Sequence, residues 1–233
     1  MKSDQIFIAK NKLIKVVLFA FVLLLNFSVY SQSFEGWISY KVETLNPNSE
    51  LIPDSTWQKM MKEKFGDKGY IAQKYYYKEN NYIAEIEAGN EKGFQAFSSA
   101  DGLIYSWQEN SNKAVAVDSK NTLDEFIEIV ETDQTDNILG IECKCIVVKS
   151  SLGETTLWYN SDYFKIDPNF YKGFKNGHWE QIINKIECIP LKIENKGFMS
   201  NTVQEATAFE EIAVDESRFT IPKFKEVYKN PLK

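Results

Sequence analysis

Turn signals recur at roughly ten-residue spacing from Gly69 to Asp118, and the stretches between them alternate apolar with polar side chains. Tyr70–Tyr77 meets Tyr82–Glu87 across Glu79-Asn80-Asn81. Gly93–Ser98, Leu103–Trp107 and Ala114–Val117 follow, separated by Asp101-Gly102 and Asn110-Ser111-Asn112. A period of two with tight turns leaves an antiparallel meander as the only economical reading. Before it, Phe34–Glu43 puts Phe34, Ile38, Tyr40 and Val42 on one face, with Trp37 among the polar residues of the other. After it, Ile138–Lys149 and Thr155–Tyr159 pair across Leu152-Gly153-Glu154, while Thr122–Glu131 reads as a helical or coil entry running into a strand. Trp179–Glu187, Ile189–Glu194, Met199–Ile212 and Phe219–Pro222 read as closing strands, and the chain beyond Lys225 is polar and expected to be loose.

Two segments break the period. Pro53-Asp54-Ser55 leads into Trp57, Met60, Met61 and Phe65, with Ser55 and Gln58 spaced as a capping box, which predicts a helix over 54–65. Asp167-Pro168 predicts a second over 168–176, ended by Gly177. The expected class is therefore mainly β (α+β). A sheet of this many strands curls, so the expectation is an open antiparallel half-barrel covered by two short helices, with residues 32–226 as one domain and 227–233 as a tail. Such a cavity would be lined by Ile38, Tyr40, Trp57, Met61, Tyr105, Trp107, Phe170 and Phe174.

Lys10, Lys12 and Lys15 precede the apolar run Val16–Phe27 and a small residue at Ser31, the pattern of a signal peptide over 1–31 cut before Gln32. About 14 helical residues rise ~21 Å, short of a ~30 Å hydrocarbon core, so a cleaved leader is favoured over a stable membrane span. The expected location is periplasmic or secreted. Without residues 1–31 the chain carries 23 basic and 32 acidic side chains, a net charge of −9. That sign disfavours nucleic acid and anionic membrane as partners. Arg218 is the only arginine, which argues against a phosphate clamp.

Chemistry-bearing residues are few. Cys143 and Cys145 share one side of a strand, and an exported chain with three cysteines admits one bridge. Cys188 with Cys143 is the preferred pair, Cys145 the other candidate, and three free thiols the alternative. With His178 these residues have zinc-ligand types, but C-x-C on a strand is not the spacing of a structural zinc knuckle. Glu131, Asp133 and Asp136 lack calcium-loop spacing and read as a solvated turn. His178, the only histidine, follows Asn176-Gly177 and reads as a surface-loop residue; no G-x-S-x-G is present. No catalytic residue, metal or cofactor is expected, and the protein is read as a non-enzyme.

The stretches ILGIECKCIVV (138–148), TTLWYN (155–160), CIPLKIENKG (188–197) and EATAFEEIAVDESRFTIP (205–222), with FEGWISY (34–40), resemble a family of exported Bacteroidota-type proteins. That family carries a domain of unknown function similar to the LolA-like outer-membrane lipoprotein-sorting proteins. The resemblance implies an incomplete, strongly curved barrel with helices in its open face, whose cavity shelters acyl chains. This chain departs from the carriers in having no arginine before Arg218. A hydrophobic or acylated ligand is the expected partner. The alternative is an interaction or envelope-stress-sensing module that meets an envelope protein through an outer apolar patch at Trp37 and Trp158.

Overall fold

The computed structural model describes residues 33–79, 81–197 and 201–229; residues 1–31, expected to be a signal peptide, lie outside them. The meander forms as β1 (Gly36–Thr44), β2 (Ile71–Lys78), β3 (Asn81–Ala88), β4 (Glu91–Ser98), β5 (Leu103–Gln108) and β6 (Lys113–Asp118). The second half supplies β7 (Phe126–Ile138), β8 (Ile141–Ser150), β9 (Gly153–Tyr159), β10 (Lys192–Gly197), β11 (Asn201–Glu211) and β12 (Glu226–Lys229). All join one open sheet in the order β12-β6-β5-β4-β3-β2-β1-β11-β10-β9-β8-β7. Every pairing is antiparallel except β12, which runs parallel to β6.

Chain connectivity forces this sheet to bend. β6 and β7 are ten strand positions apart in the sheet yet only eight residues apart in the chain, Asp118 to Phe126. Ten spacings of ~4.8 Å would set them ~48 Å apart if the sheet were flat. Eight extended residues reach at most ~29 Å. The sheet therefore curls into a half-barrel, with residues 119–125 as a strap between its two ends.

The registers sort side chains onto two faces. Ile38 pairs with Tyr75, Tyr75 with Ala84, and Ala84 with Gln95, so these share the concave face with Tyr40, Tyr77, Tyr82, Phe97 and Ile104. Trp37, Tyr76, Ile83, Phe94, Ala96 and Trp107 lie on the convex face, in a smaller core closed by Val214, Phe219 and Ile221. The convex cover is held by Glu35, whose carboxylate accepts from the Val214 N–H at 2.7 Å, and by Arg218, which stands 4.0 Å over the Tyr76 ring. Phe219–Pro222 is thus a cover ending the 3-10 turn Glu216–Phe219, not a closing strand. The closing strand is β12, within the segment expected to be loose; its residues are exposed, and beyond the backbone ladder it meets β6 through Lys113, which pairs with Glu226 at 2.9 Å and donates to Tyr228 Oη at 3.3 Å.

Two helices are present among the described residues. α1 (Asp54–Phe65) has the predicted bounds, but Pro53 occupies its N-cap and no side chain caps it, so the capping box is not formed. α1 lies at the strand ends: Trp57 Nε1 donates to the Thr44 carbonyl at 2.9 Å, and Phe65-Gly66 packs on Gly89. The second predicted helix is only a 3-10 turn, Pro168–Tyr171, started by Asp167. The true second helix is α2 (Trp179–Ile186), where a strand was expected. Trp179, Ile182, Ile183 and Ile186 recur at helical spacing, and burial of that stripe against the concave face overrides the strand preference of isoleucine.

Candidate functional site: a tyrosine-lined cavity and an open trough

Residues 163–191 cross the concave face as a lid. Phe170 and Phe174 pack on Phe97 at ring-centroid distances of 5.3 and 5.1 Å, and Phe164 packs on Phe34 at 5.1 Å. Ile166 and Ile189 N–H groups donate to the Glu187 and Phe164 carbonyls, tying the lid to itself. Between lid and sheet remains a cavity of about 100 Å³, walled by Tyr40, Tyr75, Tyr77, Tyr82, Tyr171, Gln95 and Gln204, with Phe174, Trp179, Ile183, Ile189, Pro190 and Ile193. No lining residue is charged.

The phenols set the character of this cavity. Tyr40 Oη donates to the Pro190 carbonyl at 3.0 Å. The hydroxyls of Tyr75, Tyr82 and Tyr171 make no hydrogen bond among the described residues, although Tyr82 and Tyr171 are only 9% and 7% exposed. Burial pushes the Tyr75 hydroxyl up to about 12 and raises Tyr40, Tyr77, Tyr82 and Tyr171 well above the ordinary phenol value, neighbouring tyrosines adding to the effect on these four. All five stay neutral at ordinary pH. These phenols, with the Gln95 and Gln204 amides, leave the cavity able to meet uncharged polar atoms.

Beyond the lid the concave face is bare. Ile86, Ala88, Gly93, Ser106, Val115 and Tyr228, with the charged Glu91, Lys92 and Lys113, line a trough of about 490 Å³ open to solvent. Its floor is low because Gly93 has no side chain, and a Cβ there would stand 3.0 Å from the Trp107 carbonyl oxygen. Gln95 lines the cavity, Ser106 lines the trough, and Gln95 Nε2 donates to Ser106 Oγ at 3.4 Å. The two spaces therefore share one thin polar partition.

Of the residues expected to line a cavity, Tyr40 and Phe174 do so. Ile38 lies in the concave core, fully buried, and Phe170 packs beside it in the lid. Trp57 and Met61 belong to α1 at the strand ends and line neither space. Tyr105 stacks on Phe224 and Trp107 tilts against it on the convex side, while Trp107 also lines the trough beside Gly93. The outer apolar patch is not formed at Trp37 and Trp158. Trp37 lies under Lys74 and donates to Glu210, while Trp158 is 8% exposed beneath Lys192.

Cys143, Cys145 and Cys188 are free thiols, all buried, so the preferred Cys143–Cys188 bridge is not formed. His178 is not a surface residue: it is 6% exposed, and Nε2 lies 3.0 Å from Asp124 Oδ2. Asp124 sits in the strap. The Ser119 carbonyl in the same strap accepts from the Lys175 and Asn176 N–H groups. Lid and strap are thus buckled together where the sheet ends approach.

Burial acts upward on the Asp124 carboxyl, but hydrogen bonds from Ser150, His178, Leu152 N–H and Ser151 outweigh it and hold the group below its ordinary value. An ionised Asp124 requires the imidazole to donate from Nε2. Because the folded pKa is lowered, the stabilisation is complete above the unfolded value of ~3.9 and disappears as pH falls through the folded value. Asp124→Asn is expected to melt below the wild type near neutrality and to converge with it in acid. Parallel melting curves across that window would show that the buckle carries no charge.

Among the described residues no group of His, Cys, Asp and Glu could hold a metal ion, and no helix is long and apolar enough to cross a membrane. No family model matches the chain, and no curated protein matches it. Among solved structures, PNGF-II is similar at 16% identity and a TM-score of 0.43, over 85% of this chain and 31% of that one. An uncharacterized conserved protein from Thermus thermophilus is similar at 10% identity and 0.43, over 84% and 91%. MucB is similar at 7% and 0.32, over 81% and 57%. The chain spans about a third of the length of PNGF-II, and each likeness is distant and silent on ligand or activity.

Proposed function

We propose that the protein is an exported, non-enzymatic binding protein that holds a hydrophobic or acylated ligand, such as a lipid or an acyl chain, against the concave face. The observation that carries this reading is the bare trough beside the lidded cavity. At about 490 Å³ the trough falls within the ~300–1,000 Å³ range of small-ligand sites. The cavity alone is smaller than the ~150 Å³ that admits benzene, so the apolar part of a ligand belongs in the trough. A ten-carbon chain buried at ~0.8 kcal/mol per methylene supplies roughly 8 kcal/mol before entropic costs, without special polar chemistry. The signal-peptide pattern of residues 1–31 supports the address.

Protein purified without detergent is expected to release an acyl lipid on organic extraction, seen by mass spectrometry, and to take up a fluorescent dodecyl probe when emptied. Val115→Glu supplies the control. Val115 is 46% exposed in the trough, so folding tolerates the change, while a carboxylate there opposes an apolar chain. It should weaken probe binding by about tenfold or more at an unchanged melting temperature. No extracted lipid and no probe uptake by the wild type would end this reading.

A further inference from the structure

We infer that the polar end of the ligand is uncharged and is held by the tyrosine cavity, its apolar chain passing the Gln95–Ser106 partition into the trough. The ligand class is a neutral amphiphile, such as an acyl ester, acyl amide or long-chain alcohol, and not a free fatty acid or an alkyl phosphate. This rests on the binding reading above. Three observations favour it. The cavity offers phenols and two glutamine amides but no cation, and an anion buried without one is costly. Tyr82 and Tyr171 wall the cavity with hydroxyls that have no protein partner among the described residues, so the cavity can donate to and accept from a neutral polar group. The positive charge nearby sits not in the cavity but in the exposed trough, where Lys92 pairs with Glu87 at 3.4 Å and Lys113 with Glu226 at 2.9 Å. At 3.4 Å the Gln95–Ser106 bond is longer than a well-formed one of ~2.9 Å and gives the least resistance to separating.

The test is calorimetry on the folded chain with 1-decanoylglycerol and with decanoate at about pH 8, where decanoate is ionised. The ester is expected to bind about tenfold or more tightly than the carboxylate. Tyr171→Phe, which removes one hydroxyl oxygen, should weaken the ester by roughly 3- to 10-fold and leave decanoate unchanged. Tyr82→Phe serves in its place if the first variant melts early. Decanoate binding as tightly as the ester, or two phenylalanine variants with wild-type ester affinity, would overturn the inference while leaving the binding reading intact. Binding of neither probe would overturn both.

Discussion

At neutral pH the native protein is expected to leave a thiol reagent essentially unreacted while the denatured chain consumes three equivalents without prior reduction. The count follows from three free cysteines. The protection follows from burial, which pushes Cys143 up to about 11, Asp136 adding to it, and Cys188 up to about 12, Cys143 adding to it. Only the thiolate attacks, and each unit lowers its population tenfold, so these two lose about 100-fold or more in reactivity before access is considered. Cys145, 2% exposed, is shielded by its burial. The Cys143–Cys188 bridge expected from the sequence is the specific alternative. One equivalent from the denatured unreduced chain, rising to three after reduction, would show that the protein carries that bridge. A fast native reaction would show that the lid opens over the thiols.

The strands were legible because a half-buried strand writes its faces into the chain with period two, and the Asp101-Gly102 and Glu79-Asn80-Asn81 turns mark their ends. The face that lines the cavity was harder. Tyr105 and Trp107 differ by one residue from Ile104 and Ser106, which lie on the concave face, and one residue inverts the side of a strand. Their aromatic character points equally well to the convex core that Phe224 covers. The tyrosine wall was visible only as the run Tyr75-Tyr76-Tyr77, whose alternate members face opposite ways. His178 reads as exposed from its Asn-Gly neighbourhood, because the strap residue that buries it, Asp124, is 54 positions away. β12 leaves only a faint mark, since Val227-Tyr228 is too short an apolar stretch to signal a strand and all four residues of Glu226–Lys229 are exposed. What was illegible is tertiary: a strap, a lid and a parallel edge, none of which has a local period.

Truncating Ile186 to alanine is expected to produce one of the largest losses of stability available to a single conservative change. Ile186 is 1% exposed, lies in the concave core and lines neither the cavity nor the trough, so the loss reports packing of α2 and not ligand space. Removing three buried carbons costs about 2–5 kcal/mol once the residual hole is included. Against a total stability of ~5–15 kcal/mol this shifts the melting temperature of a domain this size by roughly 5–20 °C. Ile186→Val should cost only about 0.5–1.5 kcal/mol. The neighbouring Lys185 pairs with Glu131 at the surface and should be replaceable by alanine without a measurable shift. That contrast distinguishes a helix from the strand its isoleucines suggest. On a helix, residues 182, 183 and 186 are sensitive and 184 and 185 tolerant; on a half-buried strand the sensitive positions would alternate, and 184 would join 182 and 186. A melting series over these five positions with period two would remove α2, and with it the lid that closes the tyrosine cavity.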